Sequence, residues 1–539
     1  MKPRENQRRR AGAWLAALVF VLATIPATLF AAGVEEQEAA ETDTNFNAAG
    51  YPVVDEEITI TVAGRKRPQV KREYNDMEII QEWSAITNVT VEWQLYEPSV
   101  WNERRNLIVA SMDLPDAFYG IWTIPGGEIV NWGTQGILVP LEEMIERYGT
   151  ATKELFGDGQ PYRPSITAPN GHVYTLSVVN EQYENAINDA TFINVQWLND
   201  LDVAFPTDLM ELKEALVAFR DNDANGNGDS TDEIPFSFRY PRNWSFPMGS
   251  FGISDNWQLT NVDEDGKVFY IATTENYKDY VRYMHELYSE ELIDIEAFTH
   301  NRQVYRSKYR DGLVGVFVEW QKQGRLGPEL IDQYEPLPIL DGPAGYGKTV
   351  TRWNQAQNST GAFGITSANQ YPEATFRWLD LTYNEEWSMQ LNWGPIGKNI
   401  EVLEDGSVLQ LPTPEGMSYN DFRHAYAPGA GSAFALTRSA FERLIPTETV
   451  REKRDLFALY SRWAPQEFWH TGLASMEETE ELATLETDIQ DYTREQTVLW
   501  ITEGGIDDGW DRFVATVETM GLKRMMEIRQ AQYDRVMGR

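Results

Sequence analysis

Between Arg220 and Phe236 the chain reads RDNDANGNGDSTDEIPF, with four aspartates, one glutamate, three asparagines and two glycines. Like charges this close repel, and neither a core nor a helix interior favours such a stretch. A hard cation would reverse the balance. Calcium loops of the EF-hand type need oxygen ligands at alternate positions and a glycine where the chain turns sharply. From Asp221, alternate positions bring Asp223 and Asn225, with Gly226 at the turn, Asp229 at the ninth position and Asp232 at the twelfth. From Asp223, they bring Asn225 and Asn227, with Gly228 at the turn, a backbone carbonyl from Asp229, and Asp232 and Glu233 closing the site. Both registers stay open, and the bland alternative is a solvated acidic turn. Mixed carboxylate and amide oxygens suit calcium better than magnesium, which keeps its waters. Such an ion would pin a loop rather than do chemistry.

The other chemistry-bearing residues point away from catalysis. His172, His285, His300, His424 and His470 are scattered and form no metal or triad spacing. There is no G-x-S-x-G element and no phosphate loop. The absence of cysteine excludes disulfides, thiolate nucleophiles and a lipid-anchor cysteine. A formal charge of −37 argues against nucleic acid, which needs phosphate neutralisation by Lys and Arg. The 83 acidic residues leave a carboxylate pair of the glycoside-hydrolase kind conceivable, so a secreted hydrolase is the enzymatic alternative.

These residues need a scaffold. The first 32 residues run from a basic stretch through an apolar one to a small-residue exit, the order of a cleaved signal peptide; a retained membrane anchor is the alternative. Residues 33–55 read as a flexible polar leader. EEITITVAG and NVTVEWQLY alternate as strands on either side of a helical YNDMEIIQEWSAIT. WNERRNLIVASM reads as a helix and DLPDAFYGIW as a buried strand opening into a loop. This strand–helix alternation predicts an α/β lobe with a largely parallel sheet, whose ligands bind beyond the strand carboxyl ends. A helix beginning at Pro206–Thr207, with Leu209, Leu212, Leu216 and Phe219 on one face, leads into the acidic loop. The last hundred residues read as mainly helical.

In order along the chain, Asn194, Trp197, Leu198, Leu201, Pro206, Thr207 and Phe219 precede DANGNG and DEIP. With SMDLPD at 111–116, LYSEELID at 287–294, RWLD at 377–380 and NWGPIGK at 392–398, this pattern resembles the extracellular solute-binding proteins (family 1) of carbohydrate ABC transporters. It is similar to their calcium-containing, alginate-oligosaccharide-binding branch, with one extra residue between Asp229 and Asp232. The resemblance implies the two-lobed periplasmic binding protein fold (type II-like), with crossing strands joining the lobes and a helical C-terminal region. Lobe 1 would be 56–178 plus 350–400, and lobe 2 would be 180–348 plus 401–539, carrying the calcium loop 221–233. It further implies a periplasmic monomer that holds an oligosaccharide between the lobes, or a peptide as the alternative solute, and hands it to a membrane permease.

A sugar offers an apolar C–H face, on which rings stack, and an edge of hydroxyls. Candidates at predicted strand ends are Tyr96, Trp122, Glu128 and Trp132 in the first lobe. In the second they are Arg242, Trp244, Trp257, Glu319 and Trp320. The returning segment supplies Arg352, Trp353, Asn354 and Trp393. Trp83, Trp197 and Trp378 lie in amphipathic helices and are assigned to the core.

Overall fold

The alternating Ile58, Ile60 and Val62 bury one face of strand β1 (Ile58–Arg65), which pairs in parallel register with β2 (Val89–Tyr96). The computed structural model describes residues 45–539 except 354–356, 430, 431 and 433. The expected signal peptide, most of the leader, and Asn354 lie outside the described residues. Residues Asn45–Arg539 form one compact unit.

Two sheets organise it. After β3 (Ala117–Tyr119) and β4 (Leu176–Asn180), the chain passes to a second sheet containing β5 (Ala190–Asn194) and β6 (Ile234–Ser237). A small hairpin, β7 (Thr260–Val262) and β8 (Val268–Tyr270), precedes β9 (Val314–Glu319) and β10 (Tyr334–Leu337). The chain then returns to the first sheet as β11 (Gln357–Ile365). A second hairpin, β12 (Ile400–Val402) and β13 (Val408–Gln410), precedes β14 (Ala435–Leu436).

The first sheet has the order β14-β4-β11-β3-β1-β2, and the second β10-β5-β9-β6. In each, one strand opposes its neighbours: β11 is antiparallel to β3 and β4, and β5 to β9 and β10. These are the strands on which the chain enters each sheet after crossing from the other, and a third passage, after β14, carries the chain back to the helices that share the second sheet's core. This is the expected two-lobed α/β fold. β14 pairs with β4 of the first sheet, although 401–539 is expected with the second lobe.

The helical tryptophans pack as their periodicity predicts. Trp83 stacks on Trp378 with centroids 4.1 Å apart, and its indole N–H donates to the Trp378 carbonyl at 3.0 Å. Trp197 is buried edge-on to Phe219. The RWLD block has a structural cause. Buried Arg377 donates to the carbonyls of Asn47 and Gly50, and buried Asp380 accepts from the backbone and hydroxyl groups of Thr150 and Thr152. At the C-terminus, helices Met476–Glu503, Ile506–Thr519 and Leu522–Met537 pack together, the first also lying against helix Glu275–Ser289 under the second sheet. Among the described residues no helix is long and apolar enough to cross a membrane.

Buried His424 gives the fold a pH dependence. Burial, then the adjacent Arg423 guanidinium, holds its imidazole down at about 4. The unfolded chain therefore binds a proton that the folded chain refuses. His424 costs no stability above about pH 6.5, the ordinary histidine value, and lowers stability progressively as pH falls towards 4. His424→Gln should flatten this part of the acid slope, read as melting temperature against pH; an unchanged slope would count against the assignment.

Candidate functional site

The crossing segments wall a cavity of about 780 Å³. From the passage between β4 and β5 come Glu181 and Asn188; from the returning passage come Arg352, Trp353 and the first residues of β11, Asn358 to Thr360. The second half adds Asp255, Asn256 and Trp257, and the C-terminal region adds Phe468, Trp469 and His470. Strand β11 is irregular here: its pairing with β4 shifts between Ser359 and Phe363. Gly361 sits at φ +69°, where a Cβ would lie 2.0 Å from the Ile124 carbonyl oxygen. Such an irregularity leaves strand groups unpaired and re-aims side chains, and Asn358 to Thr360 line the cavity here.

One wall is held by a buried charge network. Arg352, 4% exposed, lies 2.5 Å from Asp189 and 3.2 Å from Asp255, and it also donates to the Arg242 carbonyl. Its guanidinium covers one Trp257 contact surface at 3.2 Å from the ring centroid, while Arg242 lies 4.2 Å from the same ring. Trp257 adopts φ +75°, and its backbone N–H donates to Asp255 at 3.0 Å. Burial pushes the Asp189 carboxyl up, with Arg352 and Asn243 pulling it back. Beside this network Trp353 stacks on Phe457 at 5.7 Å. Across the cavity the Tyr162 hydroxyl donates to Glu181 at 2.6 Å, and the Arg438 backbone N–H donates to the other oxygen at 2.8 Å.

Of the sequence candidates, Trp257, Arg352 and Trp353 meet in this cavity, and Arg242 flanks it through Trp257. Trp122 is 55% exposed at the mouth of a neighbouring cavity of about 500 Å³, which shares Asn358 to Thr360 with the first. Tyr96 packs on Trp101, and Glu128 accepts from Asn131 at 3.3 Å. Trp132, Trp244 and Trp393 are 3–4% exposed and belong to the core, against Phe118, Tyr280 and the Met389 cluster respectively. Glu319 is an internal anion, held by Arg306 at 2.8 Å. Trp320 carries the Lys453 ammonium 4.0 Å from its ring. Sequence reasoning missed Tyr162, Glu181, Arg438 and the Phe468–His470 run. The run's signal was three consecutive rings within a region read as helical; the structure leaves it as loop, with Trp469 against Tyr533.

In the acidic loop, Asp221 ends helix Leu209–Asp221 and turns back to Arg220 at 2.7 Å. Asp223 instead accepts the Gly228 N–H at 2.9 Å, with Gly226 and Gly228 both at positive φ. Asp232 accepts both the Asn225 and Asn227 amides at 2.8 Å. Asp229 binds Thr231 at its own turn. Asp223 Oδ1 and Glu233 Oε2 are buried and have no hydrogen-bond partner. Burial raises the Glu233 carboxyl, and Asp232 adds to the rise. Two orphaned carboxylate oxygens amid amide oxygens fit a hard cation. They favour the register that starts at Asp223.

Two sheets of one reversed strand each, joined by crossing segments that enclose a ring-lined cavity, define a substrate-binding protein. No protein-family model matches the chain. The chain belongs to the ABC transporter substrate-binding proteins, being 30% identical over 533 residues to the fructooligosaccharide ABC transporter substrate-binding protein FusA of Streptococcus pneumoniae, across 95% of this chain and 97% of FusA. FusA in complex with kestose superposes with a TM-score of 0.77 at 30% identity, covering 89% of this chain and 100% of that one. An EF-hand mutant of FusA in complex with fructo-nystose gives the same score at 29% identity and the same coverage. The alginate-binding protein AlgQ2, solved without calcium ion, shares the fold at a TM-score of 0.66 and 20% identity, over 90% of this chain and 100% of its own.

Proposed function

We propose that the protein captures an oligosaccharide in the cleft between its two sheets and delivers it, chemically unchanged, to the permease of an ABC transporter outside the cytoplasm. The observation that carries this is the placement of Trp257, Trp353 and Phe468–His470 around one cavity built on the crossing segments. Rings there can take the apolar faces of sugars, while Glu181, Asn188, Asn256 and the β11 bulge offer hydrogen bonds to hydroxyls. A ligand touching both halves would favour their closure, giving the permease a distinct surface to recognise. The lobes would follow the expected spans, with β14 moved to lobe 1. The relationship to FusA makes kestose the first sugar to test.

Asp223, Asn225, Asn227, Asp232 and Glu233, with the Asp229 carbonyl, would hold one calcium ion. It would offset part of the loop's negative charge and fix the end of helix Leu209–Asp221 against β6. The EF-hand of FusA supports this reading.

Calorimetry against a panel led by kestose tests the binding. Trp353→Ala should weaken the best ligand about fivefold, a stacking contribution of roughly 1 kcal/mol, with the circular dichroism unchanged. Ligand recovered intact after incubation supports capture, whereas cleaved products would transfer the reading to a hydrolase. Affinity for peptides and for no sugar would make this a peptide carrier.

A further inference from the structure

The cavity next to the main cleft is lined by Arg65, Asn102, Arg105, Trp122, Gly126 and the shared Asn358–Thr360 bulge, among others. Its two arginines are unusual in a chain with 83 acidic residues against 46 basic ones. Neither has a carboxylate within ion-pair distance among the described residues. The Arg65 guanidinium lies over the Trp122 ring, 5.6 Å from its centroid. Arg105 is 6% exposed; its end nitrogens reach the neutral amide oxygens of Asn102 and Asn106 at 3.1 and 3.3 Å, and its Nε has no partner. Glu128 is the acid that Arg105 senses, but at longer range, and Glu128 instead accepts from Asn131. Burial, together with each other's charge in the case of Arg105, makes these cations uncomfortable as they stand.

A third positive element faces the same space. Helix Gly126–Thr134 begins at its wall, with Pro125 and Gly126 lining the cavity; no side chain caps this end, and the Pro125 carbonyl takes the Glu128 and Ile129 N–H groups, so at most those of Gly126 and Gly127 can meet an anion. A buried cation without a counter-ion is costly, and a guanidinium fork matches a carboxylate or a phosphate oxygen pair.

We infer that this second cavity is an anion subsite, which receives an acidic group carried by the sugar whose body lies in the main cleft. The inference rests on the proposed oligosaccharide capture and specifies its ligand as acidic at one end. Asn358–Thr360 border both cavities, so a ligand can pass from Trp353 around the bulge to Arg65 without leaving the protein surface. Trp122 then supplies the stacking face beside the charge. A carboxylate and a phosphate ester share the chemistry that these groups recognise.

The test is calorimetry on the full-length mature protein with three probes: kestose as the neutral sugar, trigalacturonate for the carboxylate and glucose 6-phosphate for the phosphate ester. At least one acidic probe should bind, more weakly as sodium chloride rises, and Arg65→Gln should weaken it on the order of 30-fold, while changing any kestose affinity by less than about threefold. Arg105→Gln should act in the same way; should that buried substitution unfold the chain, the partly exposed Arg65 still decides. Which acidic probe depends on Arg65 tells carboxylate from phosphate. Kestose binding without binding of either acid overturns the anion subsite and leaves oligosaccharide capture standing. Equal losses for neutral and acidic probes overturn it too, because the arginines would then be ordinary hydroxyl donors. Failure of all three probes overturns the anion subsite, and oligosaccharide capture falls with it only if the wider sugar panel fails as well.

Discussion

Removal of calcium with a chelator is expected to lower the unfolding free energy by about 3 kcal/mol, the linkage contribution of a site held at roughly a hundredfold excess over its Kd. Asp223→Asn should produce most of that loss in the presence of calcium. Asp223 is central because one of its oxygens anchors the Gly228 N–H while the other is buried without a partner. Asp221→Asn should have a far smaller effect, since Asp221 is already taken up by Arg220 at the exposed helix end. The contrast between the two substitutions tests the register as well as the ion. Melting with and without chelator, beside elemental analysis of the purified protein, measures both. Equal effects of the two substitutions would favour the register from Asp221, and an unchanged midpoint with no bound metal would sink the site.

Arg352→Ala should be at least as damaging. It would leave Asp189 and Asp255, both nearly fully buried, without their shared cation. Breaking a buried ion network by removing one partner costs about 3–5 kcal/mol, because the remaining charge stays desolvated. It also strips the guanidinium from the Trp257 ring, so sugar affinity should fall even under conditions where the variant remains folded. Adding Asp189→Asn and Asp255→Asn to Arg352→Ala should restore much of the stability, because no uncompensated charge then remains, while the sugar affinity stays low. Urea unfolding and calorimetry separate the two effects. A single-variant loss below about 1 kcal/mol would falsify the reading of this network as the buried tie that holds the cavity wall.

Periodicity and composition carried much of this protein. Alternation in EEITITVAG and NVTVEWQLY marks strands because a half-buried sheet needs apolar side chains on one face only, and β1 and β2 lie there in parallel register. The apolar stripe of helix Leu209–Asp221 and the core positions of Trp83, Trp197 and Trp378 follow from helical spacing in the same way. The acidic loop was legible because ligand chemistry and turn geometry are both local.

Tertiary structure decided the rest. A tryptophan is large, apolar and mildly polar at once, so its type fits a core as well as a cleft. Only the packing separates Trp257 and Trp353 from Trp132, Trp244 and Trp393. Glu319 was a plausible sugar ligand until Arg306, from another element, was found beside it. β14 joined the first sheet because two residues of backbone pairing need no sequence pattern long enough to read. The Phe468–His470 wall, Glu181 and Arg438 come from segments far apart in the chain. What brings them to one cavity is the crossing of the chain between two sheets, a long-range arrangement that no local spacing encodes.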